Sequence, residues 1–165
     1  DDVEGLDDKE IIALSNQVGA IIAYPYLGDV GDSVTGDKRA QKFEDDFLDE
    51  LFPYLRQVGF KAVSYMPSRN TPAQLQRLRA LCDRYQMFQI SGEDINQPRQ
   101  SFVCMAQRAP EFHNLYESTF ALIAHENLST GHPEKGFFAQ EAVERYPDLP
   151  ERTRAFAEKG KLLVP

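Results

Sequence analysis

The sequence predicts an α/β domain in which parallel strands are joined by crossover helices, followed by a helical C-terminal segment. Three observations predict it. The run "AIIAYPYL" is apolar and continuous rather than alternating, as a strand buried on both faces is, and "FKAVSYMP" and "QMFQIS" read as two further strands. Each run is preceded by a stretch with helical periodicity, so a helix–strand order recurs three times. Strands connected in this way run parallel with right-handed crossovers, as in a barrel or a doubly wound sheet.

The first helix begins at Asp7, a capping residue with Glu10 at the reciprocal box position and Leu6 with Ile11 as a staple. Ile11, Leu14 and Val18 form its apolar stripe and Gly19 suits its stop. After the first strand, "GDVGDSVTGD" is a loop by its glycines and aspartates. A long helical pattern then runs from Lys38 to about Val58, with Phe43, Phe47, Leu51, Leu55 and Val58 on one stripe and Pro53 as a kink or break. Gly59 ends it, and the second strand follows. In "NTPAQLQRLRALCDRY", Thr71 caps, Pro72 takes the first helical position and Gln74 completes the box. Leu75, Leu78, Leu81 and Cys82 are its inner face, and "QMFQIS" is the third strand.

Residues 1–108 make up this α/β portion, and 109–165 a helical extension packed on it. In the extension, Pro110 to Asn127 reads as a helix with Phe112, Leu115, Thr119, Leu122 and Ile123 inward. Shorter helices follow near Gln140–Arg145 and from Pro150 to Gly160.

The composition is that of a globular chain of 165 residues, 42% hydrophobic and 27% charged, with a net charge of −8. A surface of that sign repels phosphate backbones and anionic lipid, which argues against nucleic-acid or membrane-surface binding. No apolar run approaches the roughly 20 residues of a membrane span, and no signal peptide is visible. Cys82 and Cys104 are the only cysteines, which favours a reduced, cytoplasmic protein. The chain opens "DDVEGLDDKE" without an initiating Met, so a piece of a longer protein is expected.

In parallel architectures the loops after the strands gather on one side and build sites there. Tyr24, Asp29, Asp32, Arg69, Glu93, Asp94, Asn96 and Arg99 are thereby expected on one face. The carboxylates suit a hard divalent cation, or serve as ordinary turn formers that bond nearby backbone. Arg69 and Arg99 suit an anionic group, or pair with Glu93 and Asp94 to hold the rim. Gly31 and Gly36 are spaced like the glycines of a phosphate-binding loop, but Asp37 stands where its lysine belongs and would repel the phosphate. His113 and His125 lie twelve residues apart, so no metal-binding pair sits on one helical turn. No "GxSxG" elbow supports a serine triad.

"GAIIAYP" and then "LRQVGFKAVSYMPSRNTPAQLQRLRALCDRYQMFQISGEDIN" resemble the later half of a PHP (polymerase and histidinol phosphatase) domain. The resemblance spans about Leu6 to Asn96 and is most specific from Gly59 onward. It implies part of a TIM-like, seven-stranded barrel and a metal-dependent hydrolase acting on phosphate esters, with manganese, zinc, iron or magnesium as the divalent metal. Metals in such a site polarise the phosphoryl oxygen and generate a hydroxide nucleophile. Asp94, Glu93 and Asn96 are then the metal-ligand candidates, and Arg69, Arg99 and Tyr24 the substrate-binding ones.

The chain departs from the family at two points. Tyr24-Pro25 stands where the family commonly has "HP", and Glu93-Asp94-Ile95-Asn96 where it commonly has "SDxH". Its early "HxH" would lie before Asp1. The isolated chain is therefore expected to be inactive and to pair with its own N-terminal half or self-associate through open sheet edges. The alternative expectation is a PHP-derived binding or scaffold module without catalysis.

Overall fold

The computed structural model describes residues 7–29, 43–93, 95, 98–99 and 101–164. Among them α1 (Asp8–Val18), β1 (Ala23–Pro25), α2 (Leu48–Val58), β2 (Ala62–Tyr65), α3 (Pro72–Arg84) and β3 (Phe88–Ser91) alternate along the chain. The rest is helical: α4 (His113–Ser129), α5 (Gln140–Arg145) and α6 (Leu149–Lys161). The strands form one parallel sheet in the order β1-β2-β3, with Ala62 opposite both Ala23 and Phe88.

Side chains alternate across this sheet. Val63 and Tyr65 point to one face, where they join Phe52 and Leu55 of α2 and Leu78 and Cys82 of α3 in one core. Ala62 and Phe88 point to the other, into a second core with Ala121 and Ala124 of α4, Phe156 of α6 and the aromatic Phe137. Helices therefore cover both faces. This overturns the expected TIM-like barrel, because a barrel turns one sheet face inward upon itself and carries helices on the outside alone. Here α4 and α6 stand where that interior would be, and the three strands stay open.

The local signals for α1 and α3 act as their chemistry dictates. Asp7 and Thr71 each accept the backbone N–H three residues on, and Glu10 and Gln74 reach back to complete both boxes. Leu6 lies outside the described residues. Gly59 closes α2 at φ 117°, a conformation that a side chain would strain.

Three expected faces are corrected. In α1 it is Ile12 that packs inward, while Ile11, Leu14 and Val18 are 39%, 51% and 58% exposed. The helix meets the end of α2, where Ile12 packs beside Gly59, so its best-spaced stripe is not its buried one. The long pattern from Lys38 begins as a helix only at Leu48, after a 3-10 turn over Asp45–Phe47; Lys38 to Lys42 lie outside the described residues. Phe43 and Phe47 stack on each other at 4.8 Å in solvent, and Leu48, Phe52 and Leu55 take the inner face. The helix runs through Pro53 and forgoes one backbone bond there.

In α4 the inner face is Leu115, Ser118, Ala121 and Ala124, whereas Thr119 is exposed and Leu122 and Ile123 are half-buried. The small residues are there because α6 comes very close. A Cβ on Gly160 would fall 1.9 Å from the Phe120 carbonyl oxygen. Large side chains on that face of α4 would force the helices apart.

His125 joins α4 to two distant segments. Its Nδ1 accepts the Phe137 N–H at 3.0 Å and the ring donates to the Gly19 backbone carbonyl, which fixes one neutral tautomer. Burial lowers its pKa, partly offset by the Gly19 bond and the Glu126 carboxylate. Arg152, only 5% exposed, lies over the rings of Phe137 and Phe138 at 5.2 and 5.4 Å and donates to the Tyr146 carbonyl.

Two outcomes follow from this packing. Replacing Gly160 by Ala is expected to cost about 1–3 kcal/mol, read as a lower denaturation midpoint at unchanged slope. Because the folded state depresses the His125 pKa, the unfolded chain binds more protons below its ordinary value of about 6.5. Stability contributed by His125 is thus present above that pH and declines as pH falls through it. Thermal midpoints measured from about pH 7.5 to 5.5 should drop, and the drop should shrink in His125→Gln.

Candidate functional site

The ends of the three strands open onto one rim formed by residues 26–29, 66–70 and 92–93, where the parallel arrangement predicts a site. The rim is built from two hydrogen-bonded clusters.

The larger cluster ties the exit of β1 to the start of α2. Asp29 Oδ1 accepts the N–H groups of Phe43, Glu44 and Asp45 at 2.9, 2.9 and 3.2 Å, capping the turn that leads into α2. The carboxylates on that turn bond in the opposite direction. Glu44 Oε2 accepts from Leu27 and Gly28, and Asp45 Oδ2 accepts from Asp29 N at 3.1 Å. Tyr24 donates its hydroxyl to Glu44 at 2.6 Å, and Tyr26 donates to Asp45. From α3, Gln74 donates to Asp45 Oδ2 and the Asp29 carbonyl, and Arg77 to the Asp45 carbonyl and the Asp49 carboxylate. Asn70 closes the far side by donating to the Leu27 carbonyl at 2.8 Å.

The chemistry of these groups follows from their partners. Burial raises the Tyr24 and Tyr26 phenols well above their ordinary pKa, and the hydrogen-bonded carboxylates raise them further. Both are therefore fixed as neutral donors. For Asp45 burial acts upward, but donation from Tyr26, Gln74 and Asp29 N, with the Arg77 charge, more than offsets it and holds the carboxyl below its usual range.

The smaller cluster ties the exits of β2 and β3. Glu93 accepts the Ser68 N–H at 3.0 Å with one oxygen and the Ser68 hydroxyl at 2.5 Å with the other. Next to it Arg69 is half-buried; among the described residues its Nε, shielded from solvent, has no hydrogen-bond partner and the side chain has no ion pair. Burial pushes the Cys104 thiol up, a bond from the Gln107 backbone acts against that, and contact with Glu93 adds to the rise. It is a neutral thiol beside the carboxylate rather than a nucleophile.

Tyr24, Asp29, Arg69 and Glu93 thus meet on the rim, as the strand ends dictate. The expected pairing of Arg69 with Glu93 is replaced by Glu93 on Ser68, a partner one residue earlier in the same turn. Arg99 is exposed and has no ion pair among the described residues. Asp32, Asp94 and Asn96 lie outside the described residues. Among the described residues no three His, Cys, Asp or Glu side chains converge to hold a metal ion. Of the other histidines, His132 pairs with Glu134 at 3.1 Å and His113 stacks on Tyr116. Glu44, Asp45, Tyr26, Asn70 and Gln74 were not expected here. Their signal was present: two acidic residues on a turn before a helix seek the N–H groups and hydroxyls at a strand exit.

No protein-family model matches the chain, and neither curated proteins nor solved structures yield a significant match.

Removing one donor tests the larger cluster. Tyr26→Phe should cost roughly 1–2 kcal/mol, because Asp45 loses a partner in a half-buried place. Since the Asp45 pKa is depressed on folding, its contribution is present above the ordinary carboxyl value of about 3.9 and is lost as pH falls below it. Urea titrations across the acid range should therefore show a smaller acid-dependent loss in Tyr26→Phe than in the parent.

Proposed function

We propose that this chain is a binding module whose rim receives a small anionic group, with Arg69 as the main cation and Arg99 as the second. The phosphate ester implied by the PHP resemblance is the ligand class that this reading favours. One observation carries it: among the described residues, Glu44 and Glu93 on the rim are committed to protein donors, whereas Arg69 keeps a buried Nε with no partner. A buried guanidinium nitrogen left unpaired costs free energy that an anion bonded to it would recover. Tyr24, held as a donor to Glu44, then shapes the rim rather than touching the ligand.

A second reading is a metal-dependent phosphoesterase that needs more chain than this for activity. What favours it is the partly exposed Glu93 at the exit of β3, directly before Asp94. In that reading Asp94, Glu93 and Asn96 hold manganese, zinc, iron or magnesium, which supplies a Lewis acid and a bound hydroxide. The edge strands β1 and β3 each pair on one side among the described residues, which supports association with a longer chain's other half or with a second copy. Among the described residues no helix is long and apolar enough to cross a membrane. Free Cys82 and Cys104 suit the cytoplasm.

Titration with phenyl phosphate separates the two readings. Under the first, binding needs no metal and Arg69→Ala weakens it roughly 10- to 100-fold. Under the second, binding and any hydrolysis require manganese or zinc and vanish in Asp94→Ala. Native mass measured alongside checks the association: a monodisperse 18.8 kDa monomer would count against open edges as partners.

A further inference from the structure

We infer that the helical layer carries a second binding site, which takes a small carboxylate with a compact apolar body. The site is a cavity of about 190 Å³ lined by α4, α5, α6 and the turn at Pro133–Lys135. None of its lining residues belongs to the rim.

Its floor is apolar, made by Leu128, Ala142 and Phe156. Around that floor stand three cations, Lys135, Arg145 and Lys159. Among the described residues none of the three has an ion-pair partner. Two carboxylates also line the cavity, but Glu134 is engaged by His132 at 3.1 Å, which leaves Glu141 as the one uncommitted anion of the lining. In a chain of net charge −8, three unpaired cations gathered on one apolar depression run against the average surface.

Helix ends explain part of this pattern. Arg145 and Lys159 fall in the last turns of α5 and α6, where the helix dipole favours positive charge. That accounts for the residue types. It does not account for the convergence, because the cations come from two helices and a separate turn. Two of them are also laid against rings of the lining. The Arg145 guanidinium lies over Tyr146 at 5.5 Å and the Lys159 ammonium over Phe156 at 5.0 Å. Their charges are thus held beside apolar surface, as an amphipathic anion requires.

Size narrows the ligand. An apolar cavity of about 150 Å³ accommodates benzene, so this one takes a single ring or a short branched chain. Sites for larger ligands run from about 300 Å³ upward, which makes a nucleotide too big. The ligand is therefore an aromatic or branched-chain carboxylate, its body on Phe156 and Ala142 and its head between Arg145 and Lys159.

Benzoate is the probe, titrated into the full chain by calorimetry or chemical-shift mapping, with inorganic phosphate and benzyl alcohol in parallel. Saturable benzoate binding is expected, weakened about tenfold by Arg145→Ala or Lys159→Ala and blocked by Ala142→Leu. Lys161→Ala, which loses only the surface pair with Glu158 at 2.7 Å, should leave it unchanged. The inference is overturned if benzoate does not saturate by about 10 mM or if its binding survives both charge variants. It is equally overturned if inorganic phosphate shifts the signals of the same cavity residues at equal affinity, since the floor would then have no role; phosphate that shifts only the rim reports on the other site. Arg145 and Lys159 are exposed, so their variants decide the matter even if Ala142→Leu fails to fold.

Discussion

Both faces of the sheet have to be buried at once, and the rest of the molecule is arranged around that requirement. Strands of three and four residues supply few ladder bonds, and so narrow a sheet is marginal alone. Its stability comes from the side chains it sends in two directions. Val63 and Tyr65 serve one core, and Ala62 and Phe88 the other. The second core is the more demanding, because Phe137 packs edge-on against Phe156 and Phe138 and tilted against Phe88 in the space left by small residues. Ala121 and Ala124 of α4 share that core with Phe137, Gly160 lets α6 approach the Phe120 backbone, and Arg152 lies as a cation over the Phe137 and Phe138 rings.

The rim depends on the same frame. Parallel strands deliver their exits to one side, and there the polar groups that cannot enter either core have to satisfy one another. Tyr24, Tyr26 and Asp29 on the β1 side meet Glu44 and Asp45 on the α2 side, so donors and acceptors are used up locally. The outcome, among the described residues, is a rim whose carboxylates and Arg77 are bonded, while Arg69 keeps an unpaired Nε. An anion-receiving function is the simplest use of that asymmetry.

Much of this was legible in the residues. The boxes at Asp7–Glu10 and Thr71–Gln74, the glycine stops and the continuous apolar run at β1 each have a local cause, and each marks its element. The inner face of α3 was legible because its large apolar residues are the ones that pack. The inner face of α4 was not. Helical periodicity weights bulky side chains, whereas a close helix crossing selects small ones, and the need for Ala121 and Ala124 appears only once Gly160 is seen against Phe120. The barrel came from the family resemblance: the helix–strand order by itself fits a barrel or an open sheet equally, and only the helices packed on both faces decide for the open one. In the site, Arg69 and Glu93 lie at strand exits and Tyr24 in β1, and the partners of Tyr24 and Glu93 come from 20 to 25 residues away, beyond any local pattern.

The reciprocal bonds between Asp29 and Glu44–Asp45 carry a consequence for how the chain can vary. They fix both ends of the segment from residue 30 to 42 independently of what lies between. Joining two ends already held together costs little extra chain entropy, about 0.6 kcal/mol for each doubling of length. The segment is thus a natural place for an insertion, a graft or a circular permutation.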